Sequence, residues 1–231
     1  MNSEEKVLYV FSHIAEAVLS IPKTLYFNFR VLNFKEALRL PVLISYKIKL
    51  RGVNRKTVTI LGEKKTASIR IGFGASRFSI ESTRKGMINL NHGSLVIGED
   101  TGLSEGVIID AKNAKIVLGK HFRCNYATLI AAENDDIIFG DEVVLGWKIN
   151  IRNCDGHYII DNNVLKDNHG RITIGNHVWI CAHSDLMKGA SVGDNSVVAY
   201  GSLVNKGFEM PNVLIAGRPA KVIREAIDWQ E

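Results

Sequence analysis

This chain has few residues that could cross-link it. Its 231 residues include only three cysteines, Cys124, Cys154 and Cys181. Their spacing matches neither a disulfide framework nor a zinc site, so they read as small thiols of a reducing compartment. No apolar run reaches the ~18 residues that a membrane span needs. Val7–Ile21 is apolar but includes Ser12, His13 and Glu16, and no small-residue cleavage site follows it. It therefore reads as an amphipathic helix and not as a signal peptide. No nucleic-acid-binding motif is present, and 46% hydrophobic with 23% charged residues is ordinary for a soluble globular protein.

The formal charge of +5 is uneven: residues 1–56 carry ten Lys/Arg against four Asp/Glu, a local +6. A basic leader of this kind is compatible with peripheral association at the inner membrane face, or with a solvated helical extension packed on the main fold. Two helices are expected in it, about 5–20 and 33–39. Asn33 would cap the second and Pro41 would stop it.

The dominant pattern lies between Ile172 and Val204. Ile174, Ile180, Leu186, Val192, Val198 and Val204 recur every six residues. Four positions after the first five come Val178, Ser184, Ala190, Ser196 and Ser202. A helix needs apolar residues at a period of 3.6 and an alternating strand at 2, so a period of six fits neither. It fits short strands joined by corners, three sides to a coil. Upstream, Ile97-Gly98, Leu118-Gly119 and Phe139-Gly140 lie 21 residues apart. From Phe139 to Ile174 the spacing is 35, so one corner holds a 14-residue insertion within 152–171. A looser rung appears at Ile71-Gly72, and Gly86–Asn91 reads as strand. Such coils are stable only when stacked.

The stretch DGHYIID, followed by ITIGNHVWICAHS and closed by AGRPAKVIRE, resembles the bacterial polysaccharide and sialic-acid O-acetyltransferases of the hexapeptide-repeat acyltransferases. The galactoside, maltose and xenobiotic acetyltransferases are more distantly similar. The resemblance covers about residues 94–225 and implies a mainly β protein built as a left-handed parallel β-helix. Three segments are expected: a basic, partly helical extension (1–66), the β-helix with its inserted loop (67–208), and a capping segment with a short helix over Val222–Trp229 (209–231).

Transfer of an acetyl group from a thioester to a hydroxyl needs a base within hydrogen-bond reach of that hydroxyl, and imidazole suits the task. His157 falls in the insertion, and the resemblance assigns it the role of general base. Asp155 would either orient the ring or help the loop turn. The resemblance places Trp179 beside the acetyl thioester, although Cys181 stands where the family usually has glycine. It puts coenzyme A on the outside of the coils, against Ala182, Tyr200, Gly201, Asn205, Lys206, Lys221 and Arg224. It sets Asn125 at an acceptor-sugar contact, and Trp147 could stack on a sugar face. Lys221 and Arg224 could equally form an ordinary basic helix face, and Trp179 could pack against a neighbouring subunit. His177 and His183 lie one hexad apart on different sides of the coil, which argues against a metal site. His169 is expected to face solvent, while His13, His92 and His121 have no motif around them.

The expected activity is acetyl-CoA-dependent O-acetylation of a sugar hydroxyl of a capsule, O-antigen or exopolysaccharide. It would be carried out by a cytoplasmic homotrimer without metal or nucleic acid. N-acetylation of a nucleotide-linked amino sugar, or a non-catalytic assembly role, are the alternatives.

Overall fold

The structure, a computed structural model, describes residues 3–74 and 85–230, with side chains in the first helix described from Ile14 onward. The His13 side chain lies outside that range. Among the described residues, short strands stack in register into three sheets of nine, seven and seven strands, parallel throughout except for the last strand of the nine. These are the three faces of the left-handed parallel β-helix. On the first face Leu103, Cys124, Leu145, Ile180 and Val198 align. On the second, Ile88, Ile109, Ile130, Ile151, Leu186 and Val204 align. On the third, Ile97 pairs with Leu118, and Phe139 with Ile174 and then Val192.

Every one of these inward side chains is buried. Each is worth roughly 1.5–3 kcal/mol, so stacking the coils is what stabilises them. The small residues that follow sit at narrow corners, where Ser184, Ser196 and Ser202 are buried with hydroxyls bonded to backbone. Corners also need left-handed backbone: Asp100, His121, Glu142, His177, Asn195 and Asn212 all have positive φ at the corner from third to first face. His177 and His183 are such corner residues, on different corners.

The coil begins earlier than the expected boundary at 67. Val42–Ile44, Ile48–Arg51 and Val58–Ile60 each join one of the three faces. Helix α1 spans Ser3–Val31, longer than expected, and α2 spans Phe34–Ala37 with Asn33 as N-cap. Ser20, Thr24 and Asn28 lie on one stripe of α1 and bond the open edge of the first strand. Asn28 exchanges two hydrogen bonds with Val42, Thr24 takes the Ile44 N–H, and Ser20 takes that of Tyr46. Side chains thus replace a missing strand at an edge that would otherwise invite pairing.

At the other end, Ala220–Arg224 forms a strand antiparallel to Leu214–Gly217. The expected C-terminal helix over Val222–Trp229 is absent. The last coil leaves a free edge, and main-chain pairing to it satisfies more backbone groups than one helical turn would.

Candidate active site

The insertion leaves the second face after Asn150–Arg152 and returns to the third at Ile172. Its foot is rigid. The buried amide of Asn153 accepts the Glu133 N–H at 2.8 Å and donates to the Asp135 carbonyl at 2.6 Å, and its own carbonyl accepts the Gly170 N–H. Cys154 bridges His169 across the stem, and Asp155 N–H donates to Asn168 O at 2.7 Å. His169 does not face solvent as expected: it is half-buried, with Nδ1 3.0 Å from Asp135 Oδ2. Beyond the stem, Ile159–Asp161 and Val164–Lys166 form an antiparallel hairpin. Asn162 and Asn163 both have positive φ, as a two-residue type I′ turn requires.

His157 sits between stem and hairpin, just after Gly156, whose φ of +79° bends the chain outward. All residues from Asp155 to Asp167 are exposed. Asp155 does not orient the imidazole. Its carboxylate forms an ion pair with Lys188, whose Nζ also donates to the Asp167 carbonyl at 2.7 Å.

Trp179 stands on the outer side of the first face, 40% exposed, paired between Val144 and Val197. Its environment includes a partner that the sequence did not suggest, the C-terminal tail. The Trp229 ring lies 6.0 Å from that of Trp179 and stacks on His177 at 4.3 Å and 10°. Trp229 Nε1–H donates to the His177 carbonyl at 2.9 Å.

The corner between first and second faces brings several expected residues into one column. The in-register strands align Trp147, Ala182 and Tyr200 on successive coils, with Gly201 next to Tyr200. Tyr200 is exposed, with its ring 5.2 Å from that of His183, and Gly201 N–H donates to Ala182 O. Arg218 was not anticipated: it bonds the Gly201 carbonyl at 3.1 Å and Asp185 at 2.8 Å, fixing this corner. Asn125 belongs to the same corner, but its side-chain amide donates to Leu145 O at 3.1 Å and so serves the coil. Asn205 and Lys206 are exposed at the next corner of the last coil, and Lys206 lies over the Phe208 ring. Lys221 and Arg224 are exposed on the terminal antiparallel strand, not on a helix face. Within one chain, the loop imidazole, Trp179 and the corner column therefore occupy separate parts of the solenoid.

Residues 171–206 match the family described as Bacterial transferase hexapeptide (six repeats). Over those residues the solenoid is similar to the hexapeptide repeats of that family. It is 33% identical over 136 residues to the galactoside O-acetyltransferase of Escherichia coli, covering 57% of this chain and 64% of that protein, just under two thirds of its length. An uncharacterized 24.8 kDa protein in the cps region of Klebsiella pneumoniae is 28% identical, with 87% of each chain covered. Among solved structures, the polySia-specific acetyltransferase NeuO shares the fold, with a TM-score of 0.54, 21% identity, and 83% of this chain and 89% of that one covered.

This hexapeptide solenoid has a further feature beside its loop stem. A groove of about 160 Å³ runs across the outer side of the second face. Asn89, Asp110, Lys112, Glu133 and Arg152 line it above a floor that includes Ala131. Asn89 donates to Asp110 at 2.8 Å, and Lys112 bonds Glu133 at 2.5 Å. Carboxylates, an amide and cations over a small-residue floor suit a polyhydroxylated ligand. The signal was present in the sequence as polar residues at outward strand positions 21 apart, Asn89/Asp110 and Lys112/Glu133.

The Cys124 and Cys181 thiols are poor nucleophiles. Burial pushes Cys124 up to about 12, and burial raises Cys181 to about 11. Among the described residues, no group of three or more His, Cys, Asp or Glu is arranged to hold a metal ion.

Proposed function

We propose that this solenoid is an acetyl-CoA-dependent O-acetyltransferase. It acetylates a sugar hydroxyl of a surface polysaccharide, whether capsule, O-antigen or exopolysaccharide, by direct transfer and as a homotrimer. The observation that carries this reading is the loop: a firmly footed arm that holds His157 clear of the coils, with no side chain of this chain paired to its ring among the described residues.

The exposed hairpin supports an intersubunit site. Tyr158, Ile159, Ile160, Val164 and Leu165 are all uncovered in a single chain, and a two-stranded hairpin apolar on both sides suits contact with another chain. A second copy covering the hairpin would bring its own Trp179 face or corner column towards His157. This accounts for the scatter of the expected residues within one protomer. The 33% identity to a galactoside O-acetyltransferase and the cps-region relative favour a sugar acceptor.

In the reaction, His157 removes the proton from the acceptor hydroxyl as its oxygen attacks the thioester carbonyl. The tetrahedral intermediate carries an oxyanion that Trp179 or nearby backbone N–H groups stabilise. Its collapse breaks the carbon–sulfur bond, and the imidazolium returns the proton to the departing thiolate. Lys206, Lys221 and Arg224 supply charged donors for the coenzyme's phosphates. Acetyl-CoA is a cytoplasmic metabolite, so the reaction belongs there.

The test offers acetyl-CoA with hydroxyl acceptors (galactosides and capsular oligosaccharides) and, in parallel, nucleotide-linked amino sugars. O-acetyl product is expected. Acetylation of the amines alone would replace this reading with N-acetylation, and no coenzyme A binding by calorimetry would leave a non-catalytic assembly solenoid.

A further inference from the structure

The outward side of α1 carries no charge over about four turns. Between Ile14 and Phe29 there are only two ionisable acids or bases, and both turn inward. Glu16 accepts from Ser45 at 3.0 Å and pairs with Lys47 at 3.3 Å. Lys23 donates to the carbonyls of Tyr46 and Ile48 at 2.6 and 2.7 Å. Ser20, Thr24 and Asn28 are used on the edge of the first strand.

What remains on the outside is apolar. Ile14, Val18, Ile21, Leu25 and Phe29 form one stripe at helical spacing, with Leu19 and Tyr26 beside it. Val18 is 58% exposed and Leu19 57%. Phe29 meets Phe34 at 5.8 Å, which extends the patch onto α2, where Phe34 is 68% exposed. An exposed apolar stripe of this length marks a contact surface, and the solenoid covers only the opposite, largely polar side of the helix.

We propose that this face lies in the interface of an anionic bilayer, with α1 parallel to the membrane plane. Charge complementarity selects the occupant. The C-terminal end of the patch is rimmed by exposed Arg30, Lys35 and Arg39, and by Lys56 beside Arg30. Basic residues around an apolar stripe are what an anionic headgroup layer attracts. A second copy on the same face is the rival occupant, and the oligomeric mass of the apolar-stripe variant below separates the two.

Helix length and position agree. No helix among the described residues is long and apolar enough to cross a membrane, so α1 lies on the surface and does not span it. It also covers the open end of the first coil, opposite the Ala220–Arg224 cap. In any assembly of parallel solenoids the α1 faces would therefore share one end and meet one plane. This inference does not depend on acetyl transfer, because vesicle binding is read without donor or acceptor.

The test floats the full chain with vesicles of phosphatidylcholine alone and of phosphatidylcholine with phosphatidylglycerol at 7:3. Flotation with the anionic vesicles that weakens as salt is raised is expected. Val18→Asp/Leu25→Asp should lower the vesicle partition by on the order of a hundredfold, with the oligomeric mass by light scattering unchanged. Arg30→Glu/Lys35→Glu, which leaves the apolar stripe intact, should lower binding and flatten its salt dependence. The inference is overturned if the wild-type chain stays in the soluble fraction with anionic vesicles. It is equally overturned if Val18→Asp/Leu25→Asp lowers the oligomeric mass, because that result would put a second copy on this face.

Discussion

The Asp155 carboxylate is held by Lys188 and not by His157, and the same ammonium bonds the Asp167 carbonyl on the returning arm. Lys188 therefore clasps both arms of the loop at its foot. An exposed pair of this kind contributes only ~0.2–1 kcal/mol to stability, so its effect should appear in the placement of His157. Asp155→Ala and Lys188→Ala are expected to lower kcat to a similar extent, by up to ~10²-fold, with Tm barely changed. The double variant should be no worse than either single one. If Asp155 oriented the imidazole directly, Lys188→Ala would leave kcat unchanged while Asp155→Ala lowered it.

The glycine column at the corner from third to first face has no room for side chains. A Cβ on Gly119 would overlap the Gly140 carbonyl and lie 2.7 Å from the Asp141 nitrogen. These are backbone atoms held by the neighbouring coil, so they cannot swing aside. Gly119→Ala is expected to cost about 1–3 kcal/mol, lowering Tm by roughly 2–4 °C per kcal/mol. A melt unchanged from wild type would contradict the close stacking of these corners.

Direct transfer excludes an acetyl-cysteine. With Cys124 at about 12 and Cys181 at about 11, neither of these two forms thiolate to any useful extent at neutral pH. Cys124→Ala and Cys181→Ala are expected to retain kcat within about threefold. Initial-rate plots should intersect, as a ternary complex requires, and a ping-pong pattern with trapped acetyl-enzyme would refute the reading.

Asp100 gives a pH signature. Burial pushes its carboxyl upward, but hydrogen bonds from His121 and Arg123 outweigh that and hold it below the usual carboxylate range. A lowered carboxyl contributes stability above its unfolded value of about 3.9, and that contribution is lost as pH falls through the folded value. Asp100→Asn should therefore reduce stability at pH 7 by no more than ~1 kcal/mol, because the group is half-exposed. Denaturant titrations should show the difference fading in acid; a constant difference down to pH 2 would contradict it.

The sequence was legible where the coil was regular. Ile97 to Val204 kept its hexads, and the glycines marked the corners, so the faces and the insertion could be read directly. The first coils were hidden because their spacing is irregular: Ile44, Ile71 and Leu103 align in space but are not 21 residues apart. Val222 and Ile223 suit a helical turn or a strand equally, and only the free edge of the last coil decides between them. The Trp229–His177 contact joins residues 52 apart in sequence, and no local period announces it. The Asp155–Lys188 pair was likewise invisible, because Lys188 reaches the loop from the coil that follows it.

The most direct test of the account is steady-state kinetics of His157→Ala with acetyl-CoA and a sugar acceptor, on protein shown to be folded and of wild-type oligomeric mass. The account predicts kcat lowered by ~10²–10⁴-fold with coenzyme A affinity preserved. A variant within tenfold of wild type would contradict the assignment of the loop imidazole as the base.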